Sequence, residues 1–117
     1  MTDLPFPDRG KLYAERLTRF QQRPEVRRAA EQYADWSRSS AGIMINFQLS
    51  YLAMARVAGK LSRAFYRNAL DKLAKGSGVP LDDFRILARC MLELVRCALA
   101  GTDQVADDNW YAEGDDV

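Results

Sequence analysis

Four cations are the residues in this sequence best placed to do chemistry. Arg56, Lys60, Arg63 and Arg67 follow one another at spacings of 4, 3 and 4. On one helix, at about 100° per residue, all four fall within about 60° of each other. No Asp or Glu occurs between Trp36 and Leu70, so no sequence neighbour neutralises them. A helix needs only a polar outer face, and mixed charges supply that equally well. An unmixed row suits a polyanion, because four cations spread over about 16 Å of helix meet several phosphates and release counterions in doing so. An acidic protein is another occupant such a row fits, and a plain solvated surface whose cations fell there by chance is the bland alternative. Arg38 lies upstream, and Lys72 and Lys75 follow on other sides of the same expected helix.

Weaker sets of cations invite the same question. Arg85, Arg89 and Arg96 share one helical face, and Arg9, Arg16 and Arg23 recur every seven residues. Seven-residue recurrence is expected on any outer face, so these are read as structural, with Arg89 paired to Glu93 four residues on. The aromatic residues Trp36, Tyr51, Phe65 and Tyr66 lie close to the cations in sequence. Exposed rings there would stack bases of a single strand, but their spacing fits core or boundary packing.

Other chemistries find little support. The chain has no histidine, the commonest general acid–base and transition-metal ligand. Gly76-Ser77-Gly78 lacks the pattern of a phosphate-binding loop. Asp82-Asp83 fits the first turn of a helix, and Ser39-Ser40 has no base partner in sight. No enzyme, cofactor, metal or small-molecule substrate is expected. Cys90 and Cys97 lie seven apart on one helical face, about 10 Å along the axis, too far for a disulfide. They read as core thiols of a reducing compartment. The N-terminus lacks a signal-peptide pattern, and no apolar run approaches the roughly 20 residues that span a bilayer. A cytoplasmic protein without a membrane partner is expected.

The charge is unevenly placed. Residues 1–100 hold 17 Lys and Arg against 10 Asp and Glu, a net of +7. Residues 101–117 hold six acids and no base, a net of −6. Trp110 and Tyr111 sit among those acids, as a docking motif for another protein would. The same segment is also suited to fold back and screen the basic face, or simply to keep the chain soluble.

The elements that must position the cations read as an all-α compact bundle of four to five helices with a flexible acidic tail. Residues 1–101 form the bundle domain and 102–117 the tail. A first helix runs from Asp8 to about Gln22 with Leu12, Tyr13, Leu17 and Phe20 inward. A second starts at Pro24, which suits a first turn, and continues to about Ser37, burying Val26, Ala29, Ala30, Tyr33 and Trp36. Ser39-Ser40 offers a break and an N-cap. The third and longest runs from Ala41 or Ile43 to Lys75. Its apolar side is Phe47, Tyr51, Met54, Ala58, Leu61, Phe65 and Ala69, opposite the cations. Gly59 within it costs roughly 1 kcal/mol and permits a close crossing or a bend. Gly76-Ser77-Gly78 stops it. Pro80 opens a last helix, with Phe84, Leu87, Met91, Leu94, Val95 and Ala98 inward, and Gly101 ends it.

The stretch from Phe47 to Leu99 resembles the small helical subunit of multi-subunit CRISPR effector complexes. The residues that carry the resemblance are Tyr51-Leu52 with Arg56, Phe65-Tyr66-Arg67-Asn68-Ala69, and Arg89-Cys90-Met91-Leu92-Glu93-Leu94. It implies a non-catalytic, nucleic-acid-binding scaffold subunit of a ribonucleoprotein, packed against other subunits, further copies of itself among them. Such a subunit holds RNA or single-stranded DNA by its backbone while base pairing reads the sequence. Arg56, Lys60, Arg63 and Arg67 would inherit the strand contacts. The acidic tail departs from that pattern. It supports an alternative: a small interaction module, a phage inhibitor or adaptor, acting through Trp110 and Tyr111.

Overall fold

A computed structural model of the chain describes residues 6–105. The acidic segment with Trp110 and Tyr111 lies outside the described residues. Six helices account for most of the rest: α1 (Phe6–Gln21), α2 (Pro24–Gln32), α3 (Ala34–Arg38), α4 (Ser40–Val57), α5 (Arg63–Ser77) and α6 (Leu81–Leu99). The all-helical class is as expected. The count is six because two of the expected helices are each broken in two.

The first break falls at Tyr33, whose φ of −104° and ψ of 12° interrupt the helix between α2 and α3. The second divides the expected long helix. Val57 ends α4, and Gly59 follows in the left-handed region at φ 77°. The Lys60 N–H donates to the Ala55 carbonyl at 2.8 Å and the Gly59 N–H to the Arg56 carbonyl at 3.0 Å. That pair of bonds is a Schellman stop, which satisfies the last carbonyls of α4. Ser62 then starts α5, its hydroxyl accepting from the Phe65 N–H at 3.1 Å.

Other boundaries follow the residues that mark them. The Ser39 hydroxyl caps α4 by accepting from the Gly42 N–H at 3.1 Å. Gly78, also at φ 77°, closes α5 in the left-handed conformation that costs glycine nothing. Asp82 and Asp83 lie in the first turn of α6, where the helix dipole favours acids.

α6 is the central helix, with α1, α2, α4 and α5 packed around it. Arg85 on α6 meets Asp71 on α5, so these two helices run antiparallel. Tyr51 and Leu52 on α4 share a groove with Ala69 and Leu73 on α5, so this pair is antiparallel too. α4 and α6 therefore run in the same direction. The core joins Tyr13, Leu49, Ala53, Val57, Tyr66, Leu70, Phe84, Ala88 and Leu92. The chain stays on the bundle as far as Val105, which is buried.

With neighbours on several sides of α6, two of its arginines fall on a face turned into the bundle. Arg89 and Arg96 are buried together with Glu93, where the sequence placed them outside. Arg89 Nε donates to Glu93 at 2.7 Å, Arg16 Nε from α1 at 3.0 Å, and Arg96 Nη1 at 3.5 Å. The Phe20 ring lies 5.1 Å from the Arg89 guanidinium, a cation–π contact that helps seat a charge away from water. Leu94 and Ala98, expected inward, are exposed. A second polar clamp ties α2 to α6: the Tyr33 hydroxyl and the Arg28 guanidinium both donate to Asp83.

The α3–α4 corner depends on one glycine. A Cβ at Gly42 would run into the carbonyl of Trp36. Gly42→Ala is expected to lower stability by about 1–3 kcal/mol through forced backbone shifts, read as a reduced midpoint in urea. A Gly10→Ala control, where a Cβ meets nothing, should not be destabilising.

Candidate interaction surface on the α4–α5 hairpin

The four cations of the expected row do not form one helical face. Arg56 lies in the last turn of α4, Lys60 in the loop, and Arg63 and Arg67 on α5. The 4-3-4 spacing crosses a helix break, so it is not a helical repeat. Arg56 is half-buried and its Nη1 donates to the Leu61 carbonyl at 3.2 Å, which braces the loop. Arg63 and Arg67 are half-buried on the side of α5 that carries Tyr66 and Leu70. Lys60 is exposed. The structure thus gathers the four around one bend at the end of the bundle.

The side of α4 expected to be core is surface. Met44, Phe47, Tyr51 and Met54 are exposed by 64, 61, 63 and 44%. Leu49, Ala53 and Val57, on the opposite side, are buried against the core instead. Phe65 on α5 is exposed too, at 60%. Phe47 and Tyr51 meet edge to face, ring centres 5.3 Å apart, a favourable arrangement for two aromatic rings. Between α4 and α5 runs a shallow groove of about 440 Å³, lined by Tyr51, Leu52, Ala69 and Leu73 with Lys72 and Gln48 at its edge.

Why α4 exposes these residues follows from its sequence. No charged residue occurs from Ser39 to Ala55, so α4 is apolar nearly all round. A helix of that kind is normally covered on every side. In this chain α3, α5 and α6 pack against it, and a broad apolar strip is left over. Five α4 side chains of roughly 200 Å² each (Ile43, Met44, Phe47, Tyr51 and Met54), a little over half exposed, give a patch of about 600 Å². The largest apolar patch on a typical single chain is about 300–600 Å² and is often functional.

Chemistry of other kinds has few groups to work with. Among the described residues, no cluster of three or more His, Cys, Asp or Glu stands ready for a metal, and no helix is long and apolar enough to cross a membrane. Burial pushes the Cys90 thiol up to about 11, Arg89 pulling it back only in part. Burial raises Cys97 as well. Both are free thiols rather than a disulfide. A cleft of about 550 Å³ between α2, α3 and α6 has walls of Tyr33, Trp36, Leu87 and Met91.

No protein-family model, no curated protein and no solved structure matches the chain. The surface chemistry of the hairpin therefore carries the functional reading.

Proposed function

We propose that the chain is a non-catalytic scaffold subunit of a ribonucleoprotein effector, of the kind its resemblance to the small CRISPR subunits implies. It holds a single strand of nucleic acid at the α4–α5 hairpin. One observation carries this reading. The hairpin's sequence from Trp36 to Leu70 contains no carboxylate, and its outer side presents both exposed cations and an exposed ring. Lys60 at the bend, Phe65 in the first turn of α5 and Lys72 two turns on are all exposed. Phe65 and Lys72, seven residues apart, lie on the same side of α5. Cations that track a backbone beside an aromatic ring are what sequence-tolerant strand binding needs. Arg63 and Arg67 lie on the other side of α5, half-buried beside Tyr66 and Leu70, and Arg56 holds the bend in shape.

Fluorescence anisotropy with labelled poly-U RNA and poly-dT DNA tests the proposal. Wild type should bind with an affinity that falls steeply with salt. The triple change Lys60→Glu, Phe65→Ala, Lys72→Glu should weaken binding by at least about 30-fold, since each charge reversal removes a phosphate contact and adds repulsion and the stacking ring is lost. Helical content by circular dichroism should be retained. Equal binding by a folded triple variant and wild type at low salt would overturn the proposal.

A further inference from the structure

The exposed face of α4 has an internal symmetry. Met44, Phe47, Tyr51 and Met54 are spaced 3, 4 and 3. Read from either end the order is Met, aromatic, aromatic, Met. All four fall within about 80° of the helix circumference and span about 15 Å of its length. A two-fold axis between Phe47 and Tyr51 would map the face onto itself. That is the property an isologous interface requires, in which residue i meets j and j meets i.

We infer that this face is the seat of a second copy of the chain, paired α4 to α4 in antiparallel orientation. In that register Phe47 of one copy packs on Tyr51 of the other, and Met44 on Met54. The rings already meet edge to face within one copy, so four aromatics form the centre of the interface. The methionines fill its two ends, where an unbranched and polarizable side chain adapts to the gap.

Three further observations select a second copy as occupant. The area fits: α4 alone, with Ile43 at its rim, offers roughly 600 Å² of side chain, at the lower end of the ~600–1,000 Å² per partner of a stable interface. The charge fits: nothing from Ser39 to Ala55 is ionised, so like faces meet without repulsion and the face gives a charged partner nothing to pair with. The ends fit as well. Antiparallel pairing sets the two cationic bends about 27 Å apart along the helix axis, well beyond the roughly 8 Å screening length of physiological salt. A parallel pair would bring them together. The inference goes beyond strand binding and does not depend on it.

Sedimentation equilibrium of the full chain tests it, over concentrations from about 1 to 300 µM. Wild type should fit a monomer–dimer equilibrium. Phe47→Asp with Tyr51→Asp should raise the dissociation constant by about 100-fold or more, as loss of central aromatic anchors does. Both side chains are exposed in the single copy, so circular dichroism should show the double variant folded. Raising salt from about 0.1 to 0.5 M should leave the dimer intact while it strips oligonucleotide from the bend. A wild type that stays monomeric throughout, or a folded double variant that dimerises equally well, would overturn the pairing. Either result leaves the anisotropy measurement, and with it the strand proposal, to stand or fall by itself.

Discussion

Glu93→Ala should destabilise the fold by about 3–5 kcal/mol, the loss expected when a buried ion pair is broken from one side. Glu93 is the carboxylate on which Arg16, Arg89 and Arg96 all converge. It is 1% exposed, and Arg89 and Arg96 are 2 and 0% exposed. Removing it leaves guanidiniums inside the bundle without the group that balances them. A domain of this size has only about 5–15 kcal/mol in total, so the variant should melt well over 10 °C lower. A loss below about 1 kcal/mol in urea denaturation would mean the cluster is not held as described.

The same site sets a pH dependence. Burial alone would push the Glu93 carboxyl up, but Arg96, Arg89 and Arg16 outweigh it and hold it below the usual range. Asp83 is lowered in the same direction by the Tyr33 hydroxyl and by Arg28. A carboxyl lowered on folding adds stability that is fully present above its unfolded value. That stability is lost as pH falls through the folded value. The chain should therefore weaken on acidification from about pH 5 downward. Glu93→Ala should show a flatter acid limb than wild type.

The second large effect separates the two sides of α4. Leu49→Ala should cost about 2–5 kcal/mol, because the side chain is 1% exposed and leaves a cavity when cut back. Tyr51→Ala, two residues away and 63% exposed, should cost the single copy less than about 0.5 kcal/mol. Urea denaturation at low micromolar protein, where pairing does not contribute, measures both. The reverse order would put Tyr51 in the core and Leu49 at the surface.

Reading the sequence alone assigns those sides the other way round, and the reason is physical. α4 is apolar nearly all round, so periodicity does not say which half meets α6; that is decided by packing. The helix ends were more legible. Pro24, Ser39, Gly76-Ser77-Gly78 and Asp82-Asp83 each mark a boundary by their own backbone chemistry. Ala58-Gly59 followed by Ser62 marks one too, a glycine stop and then a serine cap. It was masked by apolar residues that keep helical spacing across the break, from Met54 to Phe65. Lost with that break was the straight cationic row. The Arg89–Glu93 pair was legible from its four-residue spacing, but the burial of Arg89 and Arg96 was not. Their shared carboxylate also binds Arg16, 77 residues away in sequence, and no local pattern announces a contact at that range.

The central claim is that the uncharged face of α4 is a surface built to meet its own copy. Mixing a Met44→Cys variant with a Met54→Cys variant under mild oxidation tests it most directly. Both variants also carry Cys90→Ser and Cys97→Ser, because the two native thiols are free and only half-buried. Antiparallel pairing predicts rapid disulfide formation between position 44 of one copy and 54 of the other, and little between two copies of the same variant. Crosslinks of 44 to 44 and 54 to 54 in preference, or no crosslink above that of a Lys75→Cys control, would contradict the account.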